Sequence, residues 1–379
     1  MERNATRRYA AALATIVTTT AGLLAGSGLA AGSASAQGFG AFVGPLHHTS
    51  TIASTVPGNG DVNPYGMAVI SRTAGDEYRG NVLISNFNDS GNIQGTGTTI
   101  VEVTPSGHTW VFAKINRHLA GCPGGVGLTT ALVALRSGWV IVGSLPTQTT
   151  DGNTAISGRG CLIVLDSRGN VRETITGHGI NGPWDMTALD LGGVADLFVT
   201  NVLGGILPPG RNPDGGTVER LSITTGPIGV PQVVASTQIG SGFPARLDQN
   251  ALVIGPTGVG LGRNGTLYVA DTLDSRIAAI PGAVFRHGDD GPGRTVSEGD
   301  NLNGELGLAI APDGDILTVN GGDGNMVETT PFGAQVAVDT VDTNAGGGGN
   351  LFGLAVKPGA DAVYFVDDFG QDNNLQLLF

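Results

Sequence analysis

The sequence predicts an all-β protein, a six-bladed β-propeller with four-stranded blades whose last blade is closed by a strand from the N-terminal end. Three observations predict it. Glycine and proline, 64 and 19 of 379 residues, make up more than a fifth of the chain, while charged residues reach only 13%. A strand–turn–strand pattern recurs six times. The chain then stops one strand short in the sixth copy.

So many breakers exclude long helices and coiled coils, and the 40% hydrophobic content still permits a sizeable core. Short strands joined by Gly-rich turns satisfy both limits. The net charge of −13 argues against nucleic acid or an anionic membrane as a partner.

The first 36 residues read as an address. Arg3, Arg7 and Arg8 precede an apolar stretch from Tyr9 to about Ala31, and Ala34-Ser35-Ala36 offers a small-x-small cleavage pattern before Gln37. Gly22, Gly26, Gly28 and Gly32 make this stretch a poor membrane-spanning helix. Thr6-Arg7-Arg8-Tyr9 carries the arginine pair of the twin-arginine route, followed by alanines rather than large apolar residues. Residues 37–379 are therefore expected to form one domain without a membrane span, a monomer that is secreted or held in the periplasm or cell envelope. The only cysteines, Cys122 and Cys161, lack metal-site spacing, and in an exported chain they predict one disulfide.

After the candidate closing strand His48–Ala53, the copies follow in order. Gly66-Met-Ala-Val69 leads to Val82-Leu-Ile-Ser-Asn86, with outer strands at Thr98–Val103 and His108–Phe112. Thr130–Val133 leads to Trp139–Ser144, with Cys161–Leu165 and Val171–Thr174 outside them. Asp185–Ala188 leads to Leu197–Asn201. The clearest copy runs Pro256-Thr-Gly-Val-Gly-Leu261, through an Asn264-Gly265 turn, into Thr266–Asp271 and Ser275–Ile280. Asn-Gly suits a tight hairpin because positive φ is needed there. Gly307–Ile310 leads through Asp313-Gly314 to Ile316–Asn320, and Gly353–Val356 leads to Val363–Asp367. Leu375–Phe379 is the third strand of the sixth copy, so its fourth must be the N-terminal strand. Such a closure pairs both open edges.

Pro-x-Gly-Val followed by Asn-Gly-x-Leu-Tyr-Val-Ala-Asp-Thr and an Arg-Ile strand resembles the NHL-repeat family. The likeness is close at 256–280, moderate at 301–329 and 349–379, and faint before residue 120. It implies the propeller fold, shared with the gluconolactonase-like superfamily, and leaves the function open among binding modules, lyases and lactone hydrolases.

In a propeller, the start of the first strand and the end of the second meet at one face. The second strands end in Asn86, Ser144, Asn201, Asp271, Asn320 and Asp367. Such a ring of oxygens is a candidate ligand site for a divalent cation such as calcium or for sugar-like hydroxyls. These residue types also end strands simply by bonding nearby backbone. Asp185 is a sharper candidate, because four copies carry Gly at its position. Trp184 beside it could stack on a ligand ring or plug a gap. Three insertions, Phe87–Gly97, Leu145–Gly160 and Val202–Gly215, are expected to rim the same face.

Other chemistry is thin. His47 and His48 fall near the closing strand; His108, His118, His178 and His287 lack HExxH spacing. Asp289-Asp290 and Asp313-Gly-Asp315 lack the spacing of a calcium loop, and no nucleophile elbow or phosphate loop occurs. The readings left are a propeller binding a small polar molecule or a protein, a metal-dependent hydrolase or lyase, and an envelope scaffold. By resemblance to gluconolactonase-type propellers, Asp185, Asn201, Asp271 and Asn86 would supply ligands or a base, with Asp185 the candidate catalytic carboxylate. That family's pattern also puts a Glu ligand on an inner first strand, where these copies mostly carry Gly.

Overall fold

A computed structural model describes residues 40–151, 153–202, 215–226, 229–248, 251–344, 349–369 and 373–379. The expected leader, residues 1–36, lies outside the described residues, as does most of the 202–215 insertion. No helix among the described residues is long and apolar enough to cross a membrane.

Six four-stranded antiparallel sheets are arranged as blades. Blade 1 comprises β2 (Val62–Val69), β3 (Val82–Asn88), β4 (Gln94–Val103) and β5 (Thr109–Lys114). Blade 2 comprises β6 (Leu132–Ala134), β7 (Val140–Ser144), β10 (Cys161–Leu165) and β11 (Val171–Ile175). Blade 3 runs through β12 (Pro183–Asp190), β13 (Val194–Asn201), β14 (Gly216–Thr224) and β15 (Val233–Phe243). Blade 4 is β18 (Pro256–Leu261), β19 (Leu267–Asp271), β20 (Arg276–Ile280) and β21 (Arg294–Glu298). Blade 5 is β22 (Glu305–Ile310), β23 (Ile316–Asn320), β24 (Asn325–Thr329) and β25 (Gln335–Thr340).

Blade 6 is composite, as expected. β26 (Leu351–Val356), β27 (Val363–Asp367) and β28 (Asn374–Leu378) are completed by β1 (Thr49–Ser54), which pairs with β28 from Thr49↔Leu378 to Ser54↔Asn374. His48 and Phe379 exchange backbone hydrogen bonds of 3.1 and 2.9 Å just beyond this ladder. The Glu328 carboxylate accepts from the amides of Phe42 and Val43, both at 2.7 Å, and holds the approach to β1 against blade 5.

Middle strands such as Cys161–Leu165 and Ile316–Asn320 are buried along their whole length, because each blade is sandwiched between two others. Outer strands are only partly buried, as in Gln335–Thr340. One apolar layer fills each of the six gaps. Ile70, Leu83 and Ile100 meet Leu132, Val142 and Ile163 between blades 1 and 2, and Val82 and Ile84 meet Tyr364 and Val366 between blades 1 and 6. Burying each such side chain is worth about 1.5–3 kcal/mol relative to leaving it in water.

The turn at Asn264-Gly265 departs from a hairpin with two positive-φ residues. Only Gly265 has positive φ, at 78°, and the Asn264 side chain accepts from the Thr266 amide at 3.0 Å. Asp313-Gly314 repeats the device, with Gly314 at 104° and Asp313 accepting from the Asp315 amide at 3.1 Å. The side-chain acceptor does locally what a second left-handed residue would do.

The expected loop 87–97 is shorter than its sequence suggested. β3 extends to Asn88 and β4 begins at Gln94, because Asp89 accepts from the Gly91 and Ile93 amides and tightens the turn. The 145–160 insertion folds into a hairpin of β8 (Thr147–Thr150) and β9 (Asn153–Ile156). A second hairpin, β16 (Arg246–Asp248) and β17 (Leu252–Ile254), precedes blade 4. Cys122 and Cys161 form the expected disulfide, with a Cα–Cα distance of 5.5 Å, joining the crossover between blades 1 and 2 to β10.

Candidate functional site

The inner strands build one end of the ring. β2, β12, β18, β22 and β26 each carry a register irregularity near their first residues. Such bulges re-aim side chains. Tyr65, Trp184 and Phe352, each one residue before the repeat position of Gly66, Asp185 and Gly353, thereby meet in one cluster. The Trp184 indole Nε1 donates to the Tyr65 hydroxyl at 2.8 Å, and the two rings stand edge-on at 5.7 Å. Phe352 lies 5.1 Å from Tyr65 and Phe87 lies 6.2 Å from it. Leu128, Leu145, Val202 and Val253 pack around them. Trp184 is only 7% exposed, so its ring here packs inward against Tyr65.

The repeat glycines have a role that the sequence pattern alone did not disclose. A Cβ on Gly66, Gly258, Gly307 or Gly353 would strike the inner-strand backbone of the next blade, at Thr130, Leu306, Phe352 and Tyr65 respectively. The position points sideways between blades. Asp185 follows the same direction: its carboxylate accepts from the Met186 amide at 2.7 Å and from the Val259 amide of blade 4 at 3.3 Å. It is partly reached by solvent yet densely surrounded by protein, and this desolvation outweighs the two amides and raises its pKa to about 7. Its charge in turn pushes the Tyr65 phenol further up, beyond the larger effect of burial.

The six strand-end residues are all buried, and those with bonds described use them locally. Asn86 Nδ2 donates to the Thr55 carbonyl at 2.8 Å, and Ser144 Oγ accepts from the Gly127 amide at 3.0 Å. Asn201 Oδ1 accepts from the Asn181 and Gly182 amides, both at 3.0 Å, and Asn320 Oδ1 accepts from the Asn303 amide at 3.2 Å. Asp367 accepts from the Phe369 amide at 2.9 Å. Asp271 instead receives two bonds from Arg276, at 3.0 and 2.6 Å, in a buried ion pair.

Asp185, Asn201 and Asp271, the candidate metal ligands, each already have a partner. Asp185 and Asn201 are engaged by amides, and Asp271 faces a guanidinium that would repel a cation. Among the described residues, one group of three acidic side chains converges, Asp313, Asp315 and Glu328. Both oxygens of Glu328 are already bonded there to the Phe42 and Val43 amides.

Sequence reasoning missed Glu305. It lies on an inner first strand, two residues before Gly307, fully buried beside Asp271. Neither carboxylate oxygen has a hydrogen-bond partner of good geometry. Burial raises its pKa to about 8, outweighing the opposing backbone amides; the Asp271 charge adds to the rise and Arg276 opposes it. Aligning the copies on their glycines hid it, and it also hid the aromatic residue that precedes that position in three copies. The cavity among Pro281, Phe285, Arg286 and Asp289, of about 430 Å³, lies on the outer part of blade 4 and touches none of these groups.

No protein-family model matches the sequence. No curated protein matches it either. Solved structures do resemble its fold. A gluconolactonase from Xanthomonas campestris superposes with a TM-score of 0.53 at 13% identity, over 87% of this chain and 88% of that one. The PQQ-bound aldose sugar dehydrogenase of Streptomyces coelicolor superposes with a TM-score of 0.51 at 15% identity, over 87% of this chain and 98% of that one. At such identity the likeness is one of architecture: this chain is a six-bladed propeller of the shape shared by gluconolactonase-like proteins.

Proposed function

We propose that the protein is an exported propeller that binds a small polar molecule at the loop-bearing end of the ring, with Asp185 as its charged anchor. The observation that carries this reading is the Asp185 carboxylate itself. It occupies a repeat position that four blades fill with Gly, is fixed by two amides, and lies within electrostatic reach of the Tyr65 phenol. A fixed acceptor beside a phenol suits hydroxyl groups. The net charge of −13 favours an uncharged polyol or a cationic ligand over an anion. Export is supported by the leader pattern and by the buried Cys122–Cys161 bridge, which persists in oxidising compartments.

A second reading, a hydrolase or lyase, is favoured by one observation. A carboxyl that titrates near pH 7 is matched to general acid–base work at neutral pH. The architecture shared with a gluconolactonase makes lactones the first substrates to try. No step is assigned to a metal, because Asp185 and Asn201 are already engaged by amides and Asp271 by Arg276.

Calorimetry with a panel of polyols, amino sugars and lactones tests both. Saturable binding weakened at least tenfold by Asp185→Asn, without product, supports the binding role. Lactone turnover lost in that variant supports the second. Binding unchanged by Asp185→Asn overturns the site.

A further inference from the structure

At the opposite end of blade 1, the β2–β3 connection carries chemistry that neither reading uses. Ala74 and Glu77 exchange backbone hydrogen bonds of 3.0 and 2.9 Å, closing a tight turn, and the Asp76 amide donates to the Ser167 carbonyl of blade 2 at 2.7 Å. Gly75 has positive φ, 53°, and a side chain there would collide with Ser167. The turn is thus complete without the Glu77 carboxylate. That carboxylate is 0% exposed, and neither of its oxygens has a hydrogen-bond partner.

Glu102, on the third strand, is also 0% exposed. One of its oxygens accepts from the Tyr78 amide at 3.0 Å and the Asn81 side chain at 2.6 Å; the other has no partner. Two fully buried carboxylates therefore share three unpartnered oxygens. The charges acting on Glu77 are Glu102 and Asp166, and Asp76 acts on Glu102; all are acidic. The nearby Arg172 is paired with Asp166 at 3.3 Å.

We propose that Glu77 and Glu102 form a binding site for a hard divalent cation of calcium's class, joining the β2–β3 turn to the third strand of blade 1. Buried ionised carboxylates need a compensating charge, and oxygen-only donors select calcium or magnesium over the softer transition metals. Calcium's tolerance of irregular coordination suits a site whose donors are glutamate oxygens left unpartnered by the protein. Burial also raises Glu77 to about 8, so a proton competes for the same place. The proposal does not depend on the function of Asp185.

The test is calorimetric titration of chelator-treated protein with calcium and with magnesium at pH 8, paired with terbium luminescence. Trp110 stands opposite Glu102 in the β4–β5 register and 6.0 Å from the Tyr78 ring, placing an indole beside the site to sensitise bound terbium. The expected result is one equivalent of calcium bound, with affinity at least tenfold lower in Glu77→Gln and in Glu102→Gln and unchanged in Asp185→Asn. Terbium emission should be displaced by calcium and diminished in Trp110→Phe. If the glutamine variants fail to fold, the terbium readings on unmodified protein and Trp110→Phe decide alone. Absence of calcium and magnesium binding at pH 8 overturns the proposal in favour of a proton shared by the two carboxyls. So does binding that survives both glutamine variants, or terbium emission indifferent to Trp110→Phe.

Discussion

Glu305 and Asp271 show how burial turns single side chains into pH sensors. Folding raises Glu305 from 4.5 to about 8, so the folded protein keeps a proton that the unfolded chain releases. The stability this contributes is complete below pH 4.5 and is lost as pH rises to about 8. The slope is at most ~1.4 kcal/mol per pH unit for each such group. Denaturant unfolding at pH 5.5 and pH 8 should show lower stability at pH 8, and Glu305→Gln should flatten part of that difference. An unchanged pH profile in the variant would mean that Glu305 stays ionised beside Arg276. At this scale the sequence was partly legible. Asp185 stood out because it broke a repeat of glycines, whereas Glu305, Glu77 and Glu102 look like ordinary polar residues until their neighbours in space are known.

Strands were read closely because each blade's middle pair is continuously apolar and its turns are marked by Asn-Gly, Asp-Gly and Pro-Gly. Strands Pro256–Leu261 and Cys161–Leu165 have the expected bounds. The bulges that open the inner strands were not legible, since a bulge adds a residue without a distinctive residue type. They are what brings Tyr65, Trp184 and Phe352 together. The disulfide belongs to this scale too, as it fastens the crossover after blade 1 onto β10. It closes a loop of 39 residues, worth roughly 4 kcal/mol in the chain-entropy account. Replacing both cysteines with alanine should lower stability by about that amount and leave the blade count unchanged, measured by denaturant unfolding and circular dichroism. A loss below ~1 kcal/mol would show that packing alone holds the crossover.

For the whole molecule, the count of six copies and the missing strand made the ring and its closure legible, while the faces between blades were not. Which side chains meet across a gap depends on the twist of each sheet, and no repeat period records that. Removing residues 40–54 should expose β28 as an open edge, with broadened, less cooperative unfolding and self-association visible by sedimentation. A monomer that unfolds as sharply as the intact protein would mean β1 is dispensable. The pairing of β1 with β28 also imposes a timetable. During synthesis β1 emerges ahead of every other strand and finds its partner only after β28, the last of them, has been made, so the nascent protein carries an unmatched ribbon while the blades are assembled. Any product cut short before Asn374 lacks the mate for which that ribbon waits.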